Sequence, residues 1–264
     1  LAHAADGAFA ALVRPERPWT QLDTLADKSP WVDQLAAALE SVGAVVREEL
    51  DNKRYVRSWC DRAALLTATR IVQSVLRLRP IRARPAAQLL ADVAHVRHAL
   101  LELPRREATS TWEPLVARAF GRIEPVLRIL AEVADEPAPA AVVDAYRDAA
   151  GDQSLANFQK VLDLRGIRRP EQAPFIEEFL AAVDRTPDAP TTSALSALDL
   201  DPSSDAYALT DLIGAEEEAP PSALAGLAGV LPRPGTPTSA AARALPDWKK
   251  FGSMFGVALG RERR

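Results

Sequence analysis

From Pro30 to Val183 apolar residues recur at steps of three and four, the spacing that sets side chains on one face of an α-helix. The first stripe is Trp31, Leu35, Leu39, Val42, Val46 and Leu50, and Ser29-Pro30 ahead of it offers an N-cap and a proline at the first helical position. A second stripe, Val56, Cys60, Ala63, Thr67, Ile71, Val75 and Leu78, ends before Pro80. The third begins near Pro85, carries Leu89, Val93, Val96, Leu100 and Leu103 on one face and stops at Pro104. Residues 110–133 are helical in composition. Gly121 and Pro125 within them predict two short helices or one kinked helix, because an interior proline removes a hydrogen bond and clashes with the preceding turn. Pro137 and Pro139 precede a short helix over 140–149. Ser154 caps another, with Leu155, Phe158 and Leu162 aligned and Gly166 as its C-terminal stop. A last helix over 170–183 holds Phe175, Phe179 and Val183 in register, with Pro174 leaving its start open. No run of four or more residues alternates in the manner of a strand, so the expected class is all-α, antiparallel helices on short loops.

The pattern fails after residue 185. Between Thr186 and Pro246 stand nine prolines amid Ala, Ser and Thr, with no sustained apolar period. Such a segment cannot bury enough apolar surface to offset the entropy of ordering it, and a disordered linker is expected over 186–246. Its two apolar islands, 207–213 and 224–231, read as isolated residues in a linker. The expected organisation is a connector or the end of a preceding bundle over 1–28, a helical bundle over 29–185, the linker, and an amphipathic tail over 247–264. The chain starts at Leu1 and its only methionine is Met254, so it reads as a piece of a longer protein, or a processed or incomplete one.

Composition mostly excludes. The 264 residues carry 32 Lys+Arg against 36 Asp+Glu, a formal net charge of −4, which argues against a nucleic-acid binder. No apolar run approaches the roughly 18 residues of a membrane span. Cys60 is the single cysteine, which excludes an intramolecular disulfide and multi-cysteine metal sites; it lies on an apolar stripe and reads as a small buried hydrophobe. His95 and His98 are neighbours on the face opposite the Leu89 stripe, near Asp92 and Glu102, and read as solvated residues; only His3 remains as a third histidine. No GxGxxG, GxxxxGK[ST] or HExxH motif occurs. Neither an enzyme, a cofactor nor a bound metal is expected, and a hydrolase using His95 or His98 is the weakest of the readings.

Charge clusters locally instead. Arg77, Arg79, Arg82 and Arg84 crowd one loop, and Arg165, Arg168 and Arg169 another; either set suits an anionic lipid headgroup or an acidic partner. At the C-terminus Trp248, Phe251, Phe255 and Leu259 form one helical stripe, with Lys249 and Lys250 beside it and Arg261, Arg263 and Arg264 beyond. An aromatic, basic amphipathic segment on a tether can lie in a membrane interface or in a partner's groove. Gly252, Gly256 and Gly260 each cost such a helix about 1 kcal/mol relative to alanine, which argues for a helix formed on binding.

Several motifs resemble a known family. YVRSWC at 55–60, RPI at 79–81, AQLL at 87–90, ALLELP at 99–104 and, above all, NFQKVLDLRGIRRPEQ at 157–172 stand in the order and separation of the C-terminal region of the family of vacuolar protein sorting-associated protein fifty-three. The resemblance covers about residues 19–180. Pro170 departs from it, standing where the family has a small polar cap, as does Pro125, where the family reads as continuous helix. The resemblance implies a rod-like stack of helical bundles in a subunit of the Golgi-associated retrograde protein (GARP) tethering complex and of its endosomal relative (EARP). That subunit captures endosome-derived vesicles for retrograde transport to the trans-Golgi network before SNARE-driven fusion. It also implies a peripheral location on the cytoplasmic face of the trans-Golgi network and endosomes. Partners would be the other complex subunits, met mainly through N-terminal regions absent here, with SNAREs, small GTPases or a membrane surface as further contacts and no nucleic acid. This chain would then be the distal arm. The alternatives are a helical peripheral membrane-binding module, or the C-terminal part of another helical-rod tether subunit.

Overall fold

The computed structural model describes residues 1–201 apart from Arg17, Asp23, Arg106, Glu107, Thr186 and Pro187, and all of them fall within one unit, Leu1–Glu217. The described residues form helices and turns without strands, in agreement with the all-α expectation. The helices are α1 (Asp6–Val13), α2 (Pro30–Glu49), α3 (Lys53–Leu76), α4 (Ala83–Leu101), α5 (Trp112–Phe120), α6 (Glu124–Glu132), α7 (Pro139–Ala149), α8 (Leu155–Arg165) and α9 (Ala173–Asp184).

Prolines and caps explain most boundaries. Pro30, Pro125, Pro139 and Pro174 stand in the first turns of α2, α6, α7 and α9, where the missing N–H has no intrahelical partner to lose. Gly121 and Pro125 therefore separate two helices rather than kink one. By the same logic α9 begins at Ala173, not at 170, and Pro170 lies in a 3-10 turn, Arg169–Glu171. Asn52 caps α3 by accepting from the Arg54 N–H at 3.0 Å, and Ser154 caps α8 through the Asn157 N–H at 3.3 Å. The cap of α4 comes from far along the chain: Asp135 accepts from the Ala83 N–H at 3.0 Å, and the helix starts two residues ahead of Pro85.

One apolar core runs through the unit, from Ala5 to Leu198. Helix α4 lies centrally, against α2, α5 and α6; α6 packs in turn on α7 and α8, and α7 on α9. Tyr146, Phe158 and Phe179 close the C-terminal end, the two phenylalanine rings stacked at 4.5 Å and both meeting the tyrosine edge-on. The stripe on α3 is buried as expected from Val56 to Val75, with Leu78 half-buried beyond the helix end, and the second half of α3 is buried almost all round, as befits a helix enclosed by its neighbours. The stripe on α2 holds only in its first half. Trp31, Leu35 and Leu39 are buried, but the buried line then shifts to Gly43, leaving Val42 and Val46 half-covered and Leu50 exposed. The shift follows from close approach, since a Cβ at Gly43 would lie 2.9 Å from Leu103 Cδ1.

Both flanks differ from the expected boundaries. Helix α1 contributes Ala8, Phe9 and Leu12 to the common core and packs on α2 and α3, so the described part of 1–28 shares the core of the bundle expected over 29–185. Beyond α9, residues 188–201 also belong to the fold: Leu195 and Leu198 are 1% and 2% exposed, around a 3-10 turn, Ala194–Ala197. The linker expected from 186 is thus ordered in its first part by two leucines, three residues apart, that reach the core. Residues 202–264, with the rest of that linker and the amphipathic tail, lie outside the described residues.

Candidate interaction surface

The two arginine loops are built from helix ends. Helix α3 stops at Leu76, and the chain turns through the cis Arg79–Pro80 peptide bond into α4. Helix α8 stops at Gly166, whose φ of +87° is the left-handed conformation a glycine C-cap supplies. These ends meet. The Ile81 N–H donates to the Leu164 carbonyl at 2.9 Å, and a Cβ at Gly166 would stand 2.6 Å from Pro80 Cβ. Gly166 is thus required twice, for its backbone angle and for the proline pressed against it.

The seven loop arginines do different things. Arg165 is 9% exposed, with Nη1 donating to the Leu130 carbonyl at 3.2 Å and Nη2 to the Val133 carbonyl at 2.8 Å and to that of Ala134. It closes the C-terminal carbonyls of α6 and is not a surface contact, which corrects its assignment to the basic patch. Burial lowers its pKa, an effect Asp135 opposes. Arg168 pairs with Glu171 and Arg169 with the half-buried Asp163, both at 2.6 Å; the first pair is well exposed and contributes only about 0–1 kcal/mol. Arg79 donates to the carbonyls of Leu76 and Leu200, spanning from the α3 end to the last described residues. Arg82 and Arg84 are exposed at the start of α4. Arg77 stands apart, lining a cleft between α1 and α3.

The residues of the 157–172 motif interlock with the segment over 188–201. Asn157 Nδ2 donates to Asp152 Oδ2 at 2.8 Å and to Ser196 Oγ at 3.0 Å, and Lys160 Nζ donates to the Leu195 carbonyl at 2.9 Å. Burial lowers the pKa of Lys160 while Asp199 and Asp152 pull it back up. Asp163 accepts from Gln172 Nε2 at 2.7 Å, fixing the turn into α9. Asp152, Ser193 and Ser196 escaped the sequence reading. The one available signal was Ser193 and Ser196 at capping-box spacing around Leu195, realised here as a reciprocal cap.

The candidates for catalysis do not assemble. His95 Nε2 is 3.1 Å from the Asp27 backbone oxygen and 3.7 Å from its carboxylate, outside hydrogen-bond reach. His98 is exposed. Asp92 is not part of their polar face; it is fully buried and accepts from the Ser29 N–H at 2.8 Å, Trp31 Nε1 at 2.9 Å and Gln88 Nε2 at 3.0 Å. Cys60 is buried, and desolvation aided by Asp61 raises its pKa to about 11, the reverse of what a nucleophile needs. Among the described residues no group of three or more His, Cys, Asp or Glu side chains could hold a metal ion. Among them, too, no helix is long and apolar enough to cross a membrane.

Among the described residues the fold is an all-α bundle. No protein-family model matches the chain, and no solved structure matches it. Curated proteins do match it, two of them as follows. The chain is 27% identical over 171 residues to a vacuolar protein sorting-associated protein 53 homolog of Caenorhabditis elegans, covering 61% of this chain and 21% of the relative. It is 26% identical over 166 residues to vacuolar protein sorting-associated protein 53 A of Arabidopsis thaliana, covering 61% of this chain and 19% of the relative. The chain thus contains a region like that of vacuolar protein sorting-associated protein 53, and spans about a fifth of the length of these relatives.

Proposed function

We propose that this chain is the distal, non-catalytic arm of a vesicle-tethering subunit, one that captures endosome-derived vesicles for retrograde transport to the trans-Golgi network. The observation that carries the reading is the similarity to two vacuolar protein sorting-associated proteins across 61% of the chain. The bundle supports it in physical terms: an arm must transmit position without deforming, and a single core crossed by buried polar anchors such as Asp92, Asp152 and Arg165 gives that rigidity. The arm works within a complex of the GARP or EARP kind, on the cytoplasmic face of the trans-Golgi network and endosomes, joined to the other subunits through more N-terminal sequence. SNAREs or small GTPases are its further protein contacts.

Two regions make the distal contact in this reading. One is the joined loop surface of Arg79, Arg82, Arg84, Arg168 and Arg169, suited to an acidic partner. The other is the tail of Trp248, Lys249, Lys250, Phe251, Phe255 and Leu259, suited to an anionic membrane. The test is a pull-down from a cognate lysate with the full-length protein as bait: the other three complex subunits should be recovered, and recovery of none would sink the reading. Co-sedimentation with anionic liposomes should weaken with salt and with Phe251→Ala combined with Phe255→Ala; sedimentation unchanged by that pair would remove the tail from the proposal.

A further inference from the structure

A cleft of about 590 Å³ opens between α1 and the C-terminal half of α3, reaching Arg77 at the start of the turn into α4. Its lining includes Asp6, Phe9, Arg14, Arg70, Ser74 and Arg77, and three guanidiniums there face a single carboxylate. That carboxylate is already engaged. Arg70 Nη2 donates to Asp6 Oδ1 at 2.7 Å, and the Arg70 guanidinium lies 4.8 Å over the Phe9 ring. These contacts hold Arg70 in the cleft wall in one orientation, and Arg70 in turn lowers the pKa of Asp6. Arg14 and Arg77 are exposed, and neither is joined to a carboxylate among the described residues.

Each of the two is the C-cap residue of its helix, Arg14 of α1 and Arg77 of α3. A cation there is favourable against the helix dipole by about 0.3–1 kcal/mol, which accounts for one basic residue at each end. It does not account for two such ends converging on one cleft with a third, immobilised guanidinium in its wall. Three guanidiniums against one carboxylate leave the cleft with an excess of positive charge, which an anion clasped by several guanidiniums at once would balance. A phosphate group fits this chemistry: it carries close to two negative charges and presents oxygens that a planar guanidinium meets in pairs.

We propose that the α1–α3 cleft binds the phosphate group of a small phosphorylated headgroup through Arg14, Arg70 and Arg77. The cleft volume admits a sugar- or inositol-sized body as well as the phosphate. The inference does not depend on the tethering reading, because it concerns a surface distinct from the loops and tail assigned there.

The experiment uses the full chain and two probes: soluble inositol trisphosphate, and phosphatidylcholine vesicles doped with a phosphatidylinositol monophosphate, against phosphatidylserine vesicles of equal surface charge. The discriminating variant is Arg14→Gln with Arg77→Gln, which leaves the Arg70–Asp6–Phe9 group in place. Arg82→Gln with Arg84→Gln is the control for general surface charge. Inositol trisphosphate should bind the wild type and the control alike, and binding should weaken about tenfold for each cleft arginine removed. If binding to the doped vesicles also falls with the Gln pair while binding to the phosphatidylserine vesicles does not, the ligand is a lipid headgroup; if only binding of the soluble probe falls, it is a free phosphate ester. No binding of inositol trisphosphate, binding that the Gln pair leaves unchanged, or binding to vesicles alone overturns the proposal. Should the Gln pair fold poorly, Arg14→Lys with Arg77→Lys keeps the charge but loses the paired donors, and several-fold weaker binding is then the expected result, equal binding the overturning one.

Discussion

Asp152, 3% exposed, accepts from Tyr146 Oη, Ser193 Oγ, the Ser154 N–H at 2.9 Å and Asn157 Nδ2 at 2.8 Å, four donors that let a carboxylate stay buried. Truncating it strands these donors, so Asp152→Ala should cost about 3 kcal/mol of stability, measured by urea unfolding. Desolvation, with Asp152 adding to it, pushes the Tyr146 hydroxyl pKa upward, so that hydroxyl stays the donor. Cys60 allows a cleaner pH test because it is the only thiol. Its folded pKa, pushed up to about 11 by burial, lies above the 9.0 of a free thiol, so the folded state keeps a proton that the unfolded state gives up. The stabilisation is complete below pH 9 and is lost as pH rises towards 11. The stability gap between wild type and Cys60→Ala should therefore narrow across that window, and a thiol reagent should label native protein only as fast as it opens. The sequence told that Cys60 is buried, since it sits on a regular stripe. It was silent on Asp152, whose meaning depends on residues from three other segments.

Among the elements, the joint between the α3–α4 turn and the end of α8 has the least freedom. Gly166→Ala should cost about 2–3 kcal/mol, because the left-handed angle is strained for alanine and the new methyl meets Pro80. Gly7→Ala, in α1 with nothing within 4 Å of the added carbon, should be neutral or stabilise by up to about 1 kcal/mol. The contrast in thermal unfolding separates a glycine the fold requires from one it tolerates. Gly166 was legible as a stop signal but not as a contact, since Pro80 lies far away in sequence. The segment over 188–201 makes the opposite case. Composition marks it as linker, yet Leu195 fills a place in the core, and Leu195→Ala should cost about 2–4 kcal/mol and speed proteolysis within 188–201. Composition averages over a window, whereas burial can be decided by two side chains.

For the whole molecule, the N-terminal helix tests how far the core extends. Phe9 and Leu12 are 6% and 0% exposed against α2 and α3, and Trp19 Nε1 donates to the Leu12 carbonyl at 2.9 Å. A chain starting at Ser29 uncovers the surface they hide and should unfold at lower denaturant with a smaller m-value, as less area is exposed on unfolding. An unchanged midpoint would mean that α1 is merely appended. The near-balanced charge of the chain gives no hint of the cleft between α1 and α3, because it sums over Arg14, Arg70, Arg77 and the carboxylates elsewhere alike. The fold class, the helices over 30–183 and the motifs that carry the family resemblance were determined by the sequence alone. Helical periodicity, proline placement and caps act over a few neighbouring residues and are written in their order. Only the tertiary structure decided which charged groups are surface and which are scaffold. Arg165 and Arg168, three residues apart, divide between a buried helix cap and an exposed ion pair, and Asp92 holds a tryptophan 61 residues distant. Such roles depend on partners brought close by the fold, across separations that no local pattern encodes.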